Sequence, residues 1–162
     1  MPGRRELLKR VSIFRELDDP ALAQLERLLV EKRFVKDSVI VGQKDPGDAL
    51  YVLADGRVKV ALYGRGGREV ILSIFKSGDF FGEMSLMEEE PRSASVVEIE
   101  DSVLLMLERG VFHRYLEANP KAALAVLAEM SRRLRQADSV IGNLALLDVY
   151  GRVARYLRDM AT

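Results

Sequence analysis

Between Glu6 and Glu31, Leu7, Leu8 and Val11, then Leu22, Leu25, Leu28 and Leu29, recur at three- and four-residue spacing, the period of a helix with one apolar face. Asp18-Asp19-Pro20 between the two groups offers a cap and a first-turn proline, so two short helices are expected to lead the chain. From Phe34 to Leu107 the period falls to two: Leu50 and Val52, then Val58, Val60 and Leu62, then Val70, Leu72 and Ile74. These are strands with one buried face. Turn chemistry separates them, in Lys44-Asp45-Pro46-Gly47-Asp48, Asp55-Gly56, Gly64-Arg65-Gly66-Gly67 and Ser77-Gly78-Asp79. Short strands at close, regular intervals predict an antiparallel double-stranded β-helix, or jelly roll, flanked by helices.

After Arg109 the period is helical again. Pro120 stands at the start of a long segment in which Leu124, Ser131 and Asp138 fall at heptad position a and Leu127, Leu134 and Ile141 at position d. A helix laid on the β domain and a helix paired with a second copy both suit this half-polar seam. Gly142-Asn143 is expected to end that helix. A last amphipathic helix is expected over Leu144 to Met160, with Leu146, Leu147, Val149, Val153, Tyr156, Leu157 and Met160 as its apolar set. The expected divisions are therefore 1–119, the β-roll with its leading helices; 120–142, the long helix; and 143–162, a hinge and final helix.

Composition narrows the function. Apolar residues make up 48% of 162, enough for a real core, and 25 Lys plus Arg balance 25 Asp plus Glu, so no global field draws nucleic acid or anionic membrane. The chain has no Cys, which excludes disulfides, thiolate-held clusters and cysteine catalysis. With His113 as its single histidine, metal sites built on several His are not expected, and His113 is assigned no role. No stretch approaches the roughly 20 apolar residues of a spanning helix, and the N-terminus lacks the apolar core of a secretory signal; the expectation is a cytoplasmic protein.

The densest chemistry lies in Gly78-Asp79-Phe80-Phe81-Gly82-Glu83-Met84-Ser85-Leu86, followed by Pro91-Arg92-Ser93-Ala94-Ser95. Gly82 permits close approach to the backbone, and Glu83 to Met87 can form a helical turn whose free amides meet an anion. Arg92, read as opening the next strand, supplies a planar cationic fork and Ser93 a hydroxyl, together a pocket for one phosphate. Glu83 beside a phosphate makes sense where it accepts hydrogen bonds from a sugar hydroxyl of the same ligand, which suggests a nucleotide. A turn glycine with a surface Glu-Arg pair explains the same residues. Arg92 and Ser93 face opposite ways in a regular strand, so joint contact requires a bend after Pro91.

FGEMSL followed by PRSAS resembles the phosphate-binding cassette of cyclic-nucleotide-binding domains. The order of short helices, β-roll, long helix and hinge is similar to the Crp/Fnr transcription regulators, and Met130 to Leu134 and Ile141 to Val149 extend the likeness over essentially the whole chain. The resemblance implies that Gly82 and the amides of Glu83, Met84 and Ser85 hold a cyclic phosphate, Glu83 the ribose 2'-hydroxyl, and Arg92 with Ser93 the phosphate oxygens. It implies a homodimer through Leu124, Leu127, Ser131, Leu134, Asp138 and Ile141, with Arg133, Ala137 and Asp138 over the base.

Where members of the family bind the adenine amino group with Thr-Ser, this chain has Ala137-Asp138, which leaves cyclic AMP, cyclic GMP and cyclic di-GMP open. The family's helix-turn-helix is missing after the final helix, so a truncated regulator is expected, with DNA bound by the intact protein and not by this chain alone. The expected function is cyclic-nucleotide sensing that controls DNA binding allosterically, without enzymatic chemistry, metal or resident cofactor. The alternative is a stand-alone nucleotide-binding module that regulates a partner protein.

Overall fold

The computed structural model describes residues 3–83, 91–146 and 149–161. Helix α1 (Arg4–Arg10) and a short 3-10 turn at Ser12–Phe14 precede α2 (Asp19–Leu28). Eight strands follow among the described residues: β1 (Val30–Phe34), β2 (Val39–Val41), β3 (Ala49–Asp55), β4 (Arg57–Tyr63), β5 (Glu69–Lys76), β6 (Phe80–Phe81), β7 (Ser95–Glu98) and β8 (Ser102–Glu108). Helices α3 (Arg109–Ala118), α4 (Pro120–Leu146) and α5 (Val149–Ala161) complete the chain. The chain divides into two compact units, 1–126 and 127–162.

The leading helices form as their punctuation requires. Asp18 caps α2, its carboxylate accepting from the Ala21 amide at 2.9 Å, and Pro20 occupies the first turn, where no backbone donor is needed. Leu7, Leu8, Leu22 and Leu25 are buried from these helices. Phe14 meets Tyr115 of α3 edge to face at 5.3 Å, and the Tyr115 hydroxyl donates to the Ile13 carbonyl.

The strands make two four-stranded antiparallel sheets, β1-β8-β3-β6 and β2-β7-β4-β5, the jelly roll that the alternation predicts. Leu53, Val58, Phe75, Phe81, Val96 and Leu104 fill the space between them. At Gly56, the turn from β3 to β4, φ is +96°, and a Cβ would lie 2.6 Å from that of Ser102; only glycine fits.

Four expectations are corrected. The first strand begins at Val30, ahead of Phe34. In β5, Val70 and Ile74 are exposed and Phe75 is the buried residue: the strand lies at a sheet edge, and a register shift at Val60/Ala61 breaks the simple alternation with β4. Gly142 and Asn143 lie inside α4, which runs unbroken to Leu146. One interior glycine costs about 1 kcal/mol against alanine, and Leu144, Ala145 and Leu146 favour continuation. The final helix consequently starts at Val149, with Leu144 belonging to α4. No helix among the described residues is long and apolar enough to cross a membrane.

Strand β7 carries a buried titratable group. Glu98 is 1% exposed, pairs with Val58 across the sheet, and accepts a hydrogen bond from the Ser102 hydroxyl. Burial pushes its carboxyl above the usual carboxylate range, Ser102 pulls it back, and nearby Asp101 adds to the rise. The fold thus favours the neutral form, and that contribution is complete below the ordinary carboxylate range and lost as pH climbs through the raised value. Glu98→Gln, neutral at every pH, is expected to unfold hotter than the parent at pH 8 and to lose that advantage near pH 4; melting curves across this range check it.

Candidate functional site

The first unit brings Gly82, Glu83 and Arg92 together beside the start of β3. Gly82 follows β6 with φ +95°, where a Cβ would stand 2.5 Å from Arg92 Nη1 and 2.8 Å from the Ala49 carbonyl oxygen. The missing side chain is what lets the guanidinium reach the backbone. Arg92 donates through Nη1 to the Gly82 carbonyl and through Nη2 to the Ala49 carbonyl, both at 2.8 Å. Arg92 is 4% exposed and Glu83 2%, so a surface Glu-Arg pair does not describe them.

A buried guanidinium normally faces a carboxylate. Among the described residues Arg92 forms no ion pair, and its Nε lacks a hydrogen-bond partner. Burial lowers its proton affinity, while Tyr51, Asp48, Glu83 and Asp45 act in the opposite direction through their charge. Two neutral carbonyls spread its charge without cancelling it, and this leaves a preformed cationic fork suited to an oxyanion. The Tyr51 ring stacks on Phe81 at 5.3 Å, fixing β3 against the strand that delivers Gly82. Burial raises the Tyr51 phenol and the Arg92 charge pulls it down.

Arg92 does not open a strand. Residues 91–92 are irregular, 93–94 form a bend and β7 begins at Ser95, so the bend required after Pro91 is present. Ser93 is nevertheless exposed beside buried Arg92 and Ala94. Met84 and Ser85, with Leu86 and Met87 of the expected helical turn, lie outside the described residues. Neither the backbone of Ala49 nor the ring of Tyr51 stands out in the sequence; the Gly47-Asp48-Ala49-Leu50-Tyr51 turn-to-strand passage is their one signal.

Arg133, Ala137 and Asp138 belong to the second unit. Arg133 Nε donates to Glu129 Oε1 at 2.8 Å, and Arg132 bonds the same carboxylate. Desolvation notwithstanding, these cations hold the Glu129 carboxyl below its ordinary value. Asp138 is exposed and, among the described residues, forms no ion pair with Arg135. Leu124, Leu127, Leu134 and Ile141 are 66, 62, 63 and 62% exposed, with Ser131 exposed between them.

Residues 31–119 match the family described as the cyclic nucleotide-binding domain. The chain is 31% identical over 156 residues to the CRP-like cAMP-activated global transcriptional regulator of Mycobacterium tuberculosis, covering 96% of this chain and 70% of that one. The chain belongs to the CRP-like cyclic nucleotide-binding family. Solved relatives agree. The catabolite activator protein of Thermus thermophilus has a TM-score of 0.72 at 34% identity, over 83% of this chain and 63% of that chain. The N-terminal domain of a transcriptional regulator from Streptomyces coelicolor A3(2) has 0.65 at 32%, over 83% and 94%. In this cyclic nucleotide-binding chain the matched span contains every residue of the Gly82–Arg92 cluster.

The cluster makes Gly82 irreplaceable in a way that Gly66 is not. Gly66 also has positive φ, at +75°, but nothing stands within 4 Å of its Cβ position. Gly82→Ala is expected to destabilise the domain by about 1 to 3 kcal/mol and by clearly more than Gly66→Ala, as read from paired urea melts; equal losses would show that the Arg92 contact is not what demands glycine.

Proposed function

We propose that this chain is the cyclic-mononucleotide-sensing and dimerisation part of a transcription regulator, with ligand binding transmitted to DNA binding in the longer protein and no chemistry performed on the ligand. The observation that carries the reading is the buried Arg92 guanidinium, held by two backbone carbonyls beside Gly82 and in no ion pair among the described residues. It is the charge complement of a single phosphate. Glu83, the neighbouring buried carboxylate, repels phosphate and accepts from hydroxyls, so its partner is the ribose 2'-hydroxyl. The amides of Gly82, Glu83, Met84 and Ser85 and the Ser93 hydroxyl complete the phosphate contacts, as the family likeness implies.

The relatives named as cAMP-activated make cyclic AMP the first ligand to try. Asp138 qualifies that choice. An ionised carboxylate accepts two hydrogen bonds from the N1–H and amino group of guanine but only amino hydrogens from adenine, and Asp138 is not engaged by Arg135. With Ala137 and Arg133, Asp138 is assigned to base recognition. Site of action is the cytoplasm, as for a regulator of transcription.

Calorimetric titration with cyclic AMP, cyclic GMP and cyclic di-GMP tests this assignment. Arg92→Leu should weaken the preferred cyclic mononucleotide roughly 10- to 100-fold, equivalent to about 1.5 to 3 kcal/mol for a charge-assisted contact; undiminished binding would overturn the pocket. Asp138→Ala in the same titrations should cost cyclic GMP more than cyclic AMP.

The exposed stripe of Leu124, Leu127, Ser131, Leu134, Asp138 and Ile141 is assigned to an isologous homodimer, in which each residue faces its symmetry mate or a near neighbour. Light scattering at tens of micromolar should report twice the mass of the single chain, and Leu134→Asp should shift the population towards monomer. A parent protein that is monomeric with and without ligand would remove α4 from the interface.

A further inference from the structure

The stretch between β2 and β3 holds Arg92 at both ends. Lys44 N–H donates to the Arg92 carbonyl and Arg92 N–H donates to the Asp45 carbonyl, each at 2.7 Å. Consecutive residues of one turn thus take both main-chain groups of Arg92. The adjacent Gln43 amide donates to Ser95 Oγ at 2.8 Å, and four residues beyond Asp45 the Ala49 carbonyl receives Arg92 Nη2. Because Arg92 precedes β7 and lies in no strand, this clamp replaces the ladder that would otherwise fix its backbone.

The clamp depends on an unfavourable turn. Asp45 N–H donates to the Gly42 carbonyl at 3.0 Å, closing four residues, and Lys44 sits inside at φ +72°, a left-handed conformation that a lysine resists. The Asp45 carboxylate offsets this by accepting from the Gly42 amide through Oδ2 at 2.8 Å. Glycine at 42 leaves room for this bond, since a Cβ there would lie 2.7 Å from Oδ2 and push the carboxylate aside.

We infer that Asp45 is a positioning residue for the ligand-binding arginine: its side chain closes the Gly42–Asp45 turn, whose backbone then sets the place of Arg92. This rests on the proposed role of Arg92 in phosphate binding. Asp45 itself is exposed; it acts through hydrogen-bond geometry and not by contact with ligand, its charge being the smallest of those that bear on Arg92.

The test is calorimetric titration of the whole chain with cyclic AMP, with circular dichroism of each variant. Asp45→Ala should weaken binding about 3- to 10-fold, the scale of one lost hydrogen bond. Asp45→Asn, which keeps the acceptor and drops the charge, should bind within about twofold of the parent. In an Arg92→Lys background, Asp45→Ala should add less than about twofold, because a residue acting through Arg92 has little left to misplace. Should Asp45→Ala impair folding, Lys44→Gly removes the left-handed strain, and the Lys44→Gly/Asp45→Ala chain should recover most of the affinity. The inference is overturned if folded Asp45→Ala binds like the parent, if Asp45→Asn is as weak as Asp45→Ala, or if the Asp45 and Arg92 effects multiply. An Arg92→Leu chain that binds normally instead overturns the phosphate pocket itself, and the inference with it.

Discussion

A guanidinium that is 4% exposed must spend its donors on something, and in this protein Arg92 spends two of them on the carbonyls of Ala49 and Gly82. Those two bonds join the start of β3, the end of β6 and the approach to β7, segments more than thirty residues apart at the extremes. They also create the electrostatic problem that defines the site. Carbonyl dipoles solvate a cation without neutralising it, and a cation held that way in a low-dielectric pocket is worth far more to an incoming oxyanion than the same arginine on the surface. The backbone constraint at Gly82 follows from the same contact, since a methyl group there would occupy the position of the guanidinium.

The jelly roll supplies the stiffness that such an arrangement needs. β3 lies inside its sheet between β8 and β6, and Leu50, Val52, Leu53 and Ala54 are buried on both of its faces. Ala49 is therefore an immobile acceptor. Tyr51 and Phe81, register partners as well as stacked rings, tie β6 to the same strand, so Gly82 leaves the sheet from a fixed point. The long arginine side chain is the flexible component, and its backbone is held by the turn at Gly42–Asp45.

α4 poses the opposite problem. Four large aliphatic residues on one stripe are more than 60% exposed, whereas Val126 on the same helix is buried within the first unit. Apolar area of this extent, in a regular helical row, is stabilised by a matching surface, and a second copy offers the same row by symmetry. Continuity of the helix through Gly142 and Asn143 carries it past Ile141 to Leu146.

Local chemistry was enough to place much of this in advance: the two leading helices from spacing and Pro20, the strands from alternation and Gly-Asp turns, the long helix from its heptads, and Gly82, Glu83 and Arg92 from residue types that suit a phosphate and a sugar hydroxyl. These features depend on neighbours within a few positions. What depended on partners dozens of residues away was not legible. Whether Glu83 and Arg92 form a surface pair or lie buried is decided by Ala49 and the closure of β3 on β6. The exposure of Val70 and Ile74 is decided by a register shift between β4 and β5 and by the edge position of β5. The continuation of α4 through glycine is decided by the helical segments on either side, which outweigh a local penalty of about 1 kcal/mol. Asp45 is the clearest case. By itself it is one more turn residue, and its bond to Gly42 gains meaning only when folding brings Arg92 from 47 positions downstream onto the same turn.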